Sequence, residues 1–286
     1  MNPRVPKISI VTPSFNQSAF IEEAMQSVRR QNYPNVEHIV IDGASTDGTV
    51  ELLRNCSKEP GWEHLRWVSE PDRGQTDALN KGFRMATGDL TGWLNSDDRY
   101  RLGCFEKIVS EFDKNAGADV LYGDYTWMNE DGDIRRIRRE IEFNEFILAY
   151  HRVLYVASVS TFFRRRIFDE GNWLDTKFEY AMDYEFFLRL AARGYRFQHV
   201  RSILADFRWH SRSKSTSHHR RQIADHNVIA LMYSPVLNRM RGKLYQRAML
   251  TALRIAAGSL RYWNKLIQGC YFGQADRSRA ATSTHR

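Results

Sequence analysis

An open, mostly parallel sheet covered by helices is the fold class that this chain predicts, an α/β architecture, and three observations predict it. Short β-branched runs alternate four times in succession with helical patterns, the order expected of parallel strands with helices laid over them. Each run ends in polar residues, so parallel strands bring four polar clusters to one edge. The 286 residues, 42% of them hydrophobic, suffice for a large packed core.

The first strand is KISIVT at 7–12, which meets a turn at Pro13, and a helical pattern follows from about Ser18 to Arg30. VEHIVID (36–42) precedes a helix after Thr46, LRWVSE (65–70) one from about Gln75, and LTGWLN (90–95) one from about Leu102 to Phe112. After Asp119 the pattern changes. VLYGDYTWMNEDGDIRRIRRE reads as strands joined by an Asp-Gly turn at Asp131 and Gly132, an antiparallel addition to the sheet. Tyr180 to Arg193 is helical in pattern, YRFQHV and SILADFRW are strand-like, and from about Gln222 the remainder reads mainly as helices. The expected organisation is a first half at 1–118, a second half of the same domain at 119–216, and a basic helical region at 217–286, with no Pro/Gly-rich linker between the halves.

The net charge of +8 is unevenly spread: residues 1–210 hold 28 Lys+Arg and 32 Asp+Glu, net −4, while 211–286 hold 14 and 2, net +12. The basic character belongs to the tail, which carries no recognised nucleic-acid-binding pattern, so no nucleic-acid partner is expected. Three widely spaced cysteines, Cys56, Cys104 and Cys270, suggest neither a disulfide framework nor a zinc site and fit a reducing, cytoplasmic setting. The N-terminus lacks the pattern of a secretory leader, and no run of about 18 apolar residues occurs. A chain that neither spans a membrane nor leaves the cell by that route is the expectation.

The four polar clusters are TPSFN at 12–16, DGASTDGT at 42–49, EPDRG at 70–74 and NSDD at 95–98. Taken singly, Asp47 and Asp97 could serve as helix caps and Gly, Pro and Asp as turn residues. Asp42 ends its strand before a helix begins, so capping does not account for it, and Gly43 beside it lets a ligand approach the backbone. Asp97 and Asp98 are adjacent carboxylates that disfavour each other's ionisation unless a cation or hydrogen bonds offset the repulsion.

The order ISIVTPSFNQ, VIDGASTDGT, SEPDRGQTDALNKG, GDLTGWLNSDD, continuing through AMDYEFFLRLAARG at 181–194, resembles the family 2 glycosyltransferases of bacterial surface-polysaccharide type. The resemblance covers most of residues 7–212 and implies the GT-A fold and an inverting transfer from a nucleotide-sugar donor. Neither the dehydrogenase G-x-G-x-x-G nor the P-loop G-x-x-x-x-G-K-[ST] occurs. By the resemblance, WLNSDD takes the place of the D-x-D motif that holds a divalent cation, Mn²⁺ or Mg²⁺, on the donor diphosphate. Asn95 stands where the family has its first Asp, so Asp97 is the expected metal ligand, with Asp98 assisting or capping the next helix. Thr12, Pro13, Phe15, Asp42, Arg73, Asn95 and Ser96 fall among the donor-binding positions, the Asn95 amide bonding a ribose hydroxyl, and Asn80 on the helix after Gly74 is a further one.

The resemblance also makes Asp183 the general base that takes the acceptor hydroxyl proton, with Glu185 as fallback; an N-cap is the local alternative for Asp183. His210, in FRWHSRSKSTS at 207–217, is a candidate third metal ligand or diphosphate contact, and Arg212 and Lys214 candidate phosphate contacts. RRIRRE (135–140) and FRRRIF (163–168) are either acceptor contacts or charged faces. From Gly242 to Phe272 aromatic and aliphatic residues mix with Lys and Arg and no acid, a composition suited to an anionic membrane surface on the inner face of the cytoplasmic membrane. Packing on the domain or a homodimer contact is the alternative. The resulting expectation is an inverting, metal-dependent transferase using a UDP-sugar, with a glycan or a polyprenyl-linked oligosaccharide as acceptor. A nucleotidyltransferase and a non-catalytic binding subunit are the competing readings.

Overall fold

The computed structural model describes residues 5–151, 153–210 and 219–271. Its first half is built as the alternation predicts: β1 (Ile8–Ser14), α1 (Ile21–Arg29), β2 (Val36–Asp42), α2 (Thr49–Cys56), β3 (Leu65–Ser69), α3 (Gln75–Met85) and β4 (Leu90–Trp93). All four strands run parallel in the order β3-β2-β1-β4. Helix α3 lies close on β1 because Gly82 has no side chain; a Cβ there would stand 2.3 Å from Val11 Cγ1.

Strand β1 runs through Pro13 instead of turning at it. Val11 O accepts from Leu94 N, so the odd-numbered residues of β1 face β4. Strand β4 ends at Trp93, and the missing N–H of Pro13 therefore falls beyond the ladder, where it has no bond to break.

The second half completes one sheet instead of a separate one. β5 (Arg99–Tyr100), α4 (Cys104–Lys114), β6 (Val120–Met128), β7 (Ile134–Arg138), α5 (Glu145–Tyr150), β8 (Thr161–Arg164), α6 (Arg166–Asp169), α7 (Met182–Ala192) and β9 (Phe197–Arg208) follow. The sheet order is β3-β2-β1-β4-β8-β6-β9-β5, with β7 paired antiparallel to β6 through the turn that holds Gly132. The two strand-like runs near 195–209 form the single strand β9, parallel to β6 with shifts in register at Gly123–Tyr125. Strand β5 was hidden from sequence reading by its length of two residues. It pairs with Asp206 and Ala205 of β9 and so carries the NSDD turn to the end of that strand.

Among the described residues three helices follow: α8 (His219–Tyr233), α9 (Pro235–Asn238) and α10 (Lys243–Ile267). Helix α8 leans on α7, with the His226 and Tyr184 rings stacked at 4.4 Å. Helix α10 is fastened by charge: Arg261 and Lys265 reach the buried Glu140 at 2.6 and 3.0 Å, and Arg138 joins them at 3.4 Å. Among the described residues no helix is long and apolar enough to cross a membrane.

Candidate active site

The carboxyl ends of β1, β2 and β4 and the start of α7 surround a cleft of about 590 Å³. Its walls include Pro13, Phe15, Gly43, Asn95, Ser96, Asp97, Asp183 and His210. Residues far apart in the chain, most of them singled out by the family resemblance, thus come together.

The rim is held by bonds between successive loops. Asp42 is fully buried and spends its carboxylate on Ser45 N (2.9 Å), Ser45 Oγ (2.5 Å) and Ser69 Oγ (2.7 Å). Asp47 ties the second loop to the first through Ser18 N and Thr49. Burial works against its charge, but those donors hold its carboxyl down to about 2. Gly43 touches the rim closely, since a Cβ there would meet Asp72 Oδ2 at 2.7 Å and the Phe15 ring at 3.3 Å. Phe15 itself is 61% exposed and offers a bare apolar surface over the cleft.

The NSDD turn sends its two acids different ways. Asp98 is buried, accepts from Arg208 N (2.8 Å) and Asn95 Nδ2 (2.9 Å), and does not line the cleft. Burial and then Asp97 push its carboxyl well above the usual range, against the bond from Arg208. It precedes strand β5, so it caps no helix; α4 starts after Gly103. Asp97 instead faces the cleft, with Oδ2 3.0 Å from His210 Nε2. Arg208 clamps the turn from β9: its Nε donates to Asp97 O (2.8 Å), Nη1 to Glu130 O (2.6 Å), and Nη2 pairs with Glu23. The His210 ring packs on Phe20 at 5.0 Å.

Asn95 is bound on three sides, accepting from Trp93 Nε1 (2.8 Å) and Gln75 Nε2 (2.9 Å) and donating to Asp98. Gln75 opens α3, and its backbone N–H, with Thr76 N and Oγ1, donates to Glu179 at 2.9, 3.3 and 2.6 Å. A carboxylate on a helix N-terminus is favoured by the orphan N–H groups and the helix dipole. Gly74 makes room for it: a Cβ would stand 2.7 Å from Glu179 Oε1. Glu179 lines the cleft four residues before Asp183 and escaped sequence reading because nothing local links it to α3, 104 residues away.

Asp183 lies within the first turn of α7, one position past Met182, while the cap residue is Ala181. Its Oδ1 accepts from Tyr184 N at 2.8 Å, and it faces the cleft. Burial pushes its carboxyl up from the ordinary Asp value against that bond. Glu185 points into the domain, bound to Arg189 (2.8 and 3.0 Å) and to Tyr233 Oη (2.5 Å). It has no place at the cleft.

Three further candidates stand apart from the lining. Thr12 is buried against His38 at 2.9 Å, a ring that burial holds down to about 3 and hence neutral. Asn80 fastens α3 to the segment before α7 by two bonds of 2.9 Å with Leu174. The side chain of Arg73 is 82% exposed and pairs with Asp77. Within the arginine runs Arg164 donates to Ala118 O and Phe112 O, Arg166 pairs with Asp119 and Arg138 covers Trp127, while Arg135 and Arg136 are exposed. Arg212 and Lys214 lie outside the described residues.

The model of Glycosyl transferase family 2 matches residues 9–171, which include the strand ends and the NSDD turn. The chain belongs to glycosyltransferase family 2. A second model, Glycosyl transferase family group 2, matches residues 93–273. This glycosyltransferase is 35% identical over 190 residues to an uncharacterized glycosyltransferase of Mycobacterium tuberculosis, covering 65% of this chain and 69% of that one. It is 27% identical over 243 residues to the chondroitin synthase of Pasteurella multocida, spanning 85% of this chain but 24% of that larger protein. S. aureus TarS 1–349, solved with UDP-GlcNAc, superposes with a TM-score of 0.67 at 16% identity, over 91% of this chain and 75% of that one. A Pyrobaculum calidifontis mannosyltransferase with GDP-Man and Mn²⁺ gives 0.63 at 19%, over 95% and 77%. The glycosyltransferase has the GT-A fold of these neighbours.

Proposed function

We propose that the enzyme transfers a sugar, with inversion at the anomeric carbon, from a nucleotide-diphosphate sugar, a UDP-sugar by preference, to a hydroxyl of a glycan or lipid-linked oligosaccharide. One observation carries this reading: Asp183, its carboxyl raised by burial, faces the same cleft as the Asp97–His210 pair and the bare Phe15 ring. A single displacement needs one base and no protein nucleophile. Asp183 takes the proton from the attacking hydroxyl, its raised basicity matching that work better than an ordinary surface Asp. The Phe15 ring gives a flat apolar surface for the base of the nucleotide, and Asp42 acts by fastening the loops through Ser45 and Ser69.

The site fits a divalent cation. One carboxylate and one imidazole, 3.0 Å apart and facing the cleft, match the oxygen and nitrogen donors of Mn²⁺. Among the described residues no group of three or more His, Cys, Asp or Glu is placed to hold a metal ion by itself, and Mg²⁺ commonly uses one or two carboxylates with substrate phosphates completing its shell. Asp97 and His210 would hold the ion, which when bound supplies positive charge to the departing diphosphate. Arg208 keeps the Asp97 backbone in place.

The UDP-GlcNAc complex of the TarS neighbour supports a uridine donor, and the chondroitin synthase relative supports a polysaccharide acceptor. The test is a panel of nucleotide sugars incubated with the protein and Mn²⁺ or Mg²⁺, with nucleoside diphosphate release as the readout. Release from one donor, stimulated by a saccharide acceptor and abolished by a chelator, is the expected result. Release unaffected by chelation would remove the metal; formation of nucleoside triphosphate from donor and pyrophosphate would indicate nucleotidyl transfer.

A further inference from the structure

Helix α10 packs Leu250 and Ala257 on the domain as an ordinary surface helix does, but it also carries a second apolar face outward. Three of its cations point inward: Arg261 and Lys265 engage Glu140, and Arg254 Nη2 donates to Asn227 at 2.7 Å. Its apolar residues point outward, with Leu244, Ile255, Tyr262, Trp263 and Ile267 between 54% and 79% exposed. At 100° per residue these side chains fall on one side, opposite buried Leu250 and Ala257. From Ala248 to Ile267 no exposed position of the helix bears a charge. A 25-residue helix spans about 37 Å, so this is a continuous apolar face and not a scattering of single exposed residues.

The surroundings say what covers it. Arg239, Arg241, Lys243 and Arg247 are exposed at the end where the chain enters the helix. No Asp or Glu occurs from His226 to Tyr271. A second copy of the helix would bring no carboxylate to these cations. An anionic lipid surface offers phosphates to them and acyl chains to the apolar face, and Tyr and Trp favour the boundary between the two.

We propose that the outward face of α10 is a membrane-docking surface, seated flat in the headgroup region of an anionic bilayer with Leu244, Ile255, Trp263 and Ile267 inserted and Arg239, Arg241, Lys243 and Arg247 on the lipid phosphates. Because the inward cations are spent on Glu140 and Asn227, the contact is driven by the apolar face and tuned by the exposed cations. This goes beyond the transfer reaction and does not depend on which donor or acceptor is used.

The test is flotation of the full chain with vesicles of phosphatidylglycerol and phosphatidylethanolamine, against vesicles of phosphatidylcholine. Binding to the anionic vesicles, weakened by salt, is expected. The variant Ile255→Ser/Trp263→Ser/Ile267→Ser should lose binding about tenfold or more while keeping the wild-type melting temperature, since these side chains touch solvent. The variant Arg239→Gln/Arg241→Gln/Arg247→Gln should bind anionic vesicles several-fold more weakly and lose the salt dependence. Absence of vesicle binding at low salt by the wild type would overturn the proposal. So would a dimer in sedimentation velocity that the Ser variant dissociates, because the face would then be covered by a second copy.

Discussion

The turn at 95–98 and the start of α7 each present two acids in close succession, and the fold treats the pairs alike in one respect and differently in another. In each pair one acid faces the cleft, Asp97 or Asp183, and the other, Asp98 or Glu185, is buried in structural bonds. The difference lies in what the cleft-facing acid meets. Asp97 has an imidazole at 3.0 Å, a second donor for a cation. Asp183 has one backbone N–H at 2.8 Å and a carboxyl raised by burial, the environment of a base. Partner chemistry, not acid identity, separates the proposed metal ligand from the proposed base.

That comparison can be broken first at Asp183. Asp183→Asn should lower transfer by about 10²–10⁴-fold while leaving nucleotide binding unchanged by calorimetry. In the wild type, transfer should rise with pH through a midpoint above the ordinary Asp range, because the ionised carboxylate is the active form and its pKa is raised. The stability effect has the opposite sense. A raised folded pKa means that stability from this group is present in acid and lost as pH rises through the folded value. Asp183→Asn should therefore melt above the wild type at neutral pH, with the gain vanishing below about pH 4. A wild-type rate in this variant would remove Asp183 as the base.

Glu185→Ala sharpens the contrast within α7. It leaves Arg189 and the Tyr233 hydroxyl without their carboxylate, and denaturant unfolding should show a loss of about 3 kcal/mol. The remaining folded fraction should bind nucleotide normally. Exchange of roles, with Glu185→Ala inactive but fully stable, would contradict the assignment.

At the 95–98 turn, Asp97→Ala should weaken Mn²⁺-dependent nucleotide binding about tenfold or more, with little change in melting temperature. Asp98→Ala should do the reverse, costing about 1–3 kcal/mol of stability through unpaired Arg208 N and Asn95 Nδ2. The smallest effect is expected at Glu179, which joins α3 to the turn before Asp183. Glu179→Ala should reduce kcat about tenfold by loosening the base without altering nucleotide affinity, and Glu179→Gln should recover part of the rate. An equal loss of affinity and rate would show that Glu179 contacts the donor.

Much of the fold was legible in the chain. VEHIVID matches β2 residue for residue, and four strand ends fell on one edge because short β-branched runs alternating with helical patterns leave a parallel sheet little alternative. Short or charged segments were not legible: β5 has two residues, and β8 ends inside the run FRRRIF, whose arginines read as acceptor contacts or a charged face. The site divided in the same way. Pro13, Phe15, Asn95, Ser96, Asp97, Asp183 and His210 line the cleft, whereas Thr12, Asp42, Arg73, Asn80 and Asp98 do not.

By itself the sequence determined the strand-helix alternation, the edge where polar residues collect and the family to which the chain belongs, since these follow from local periodicity and from the order of short motifs. Only the tertiary structure decided which acid of each pair meets the cleft, that Glu179 caps α3, and that Arg254, Arg261 and Lys265 of α10 turn inward while Ile255, Trp263 and Ile267 turn out. Each of those outcomes depends on a partner distant in sequence: Arg208 and Asn95 for Asp98, Arg189 and Tyr233 for Glu185, Glu140 for Arg261 and Lys265. A buried charge goes where a distant partner can satisfy it, and local pattern does not record where that partner will stand.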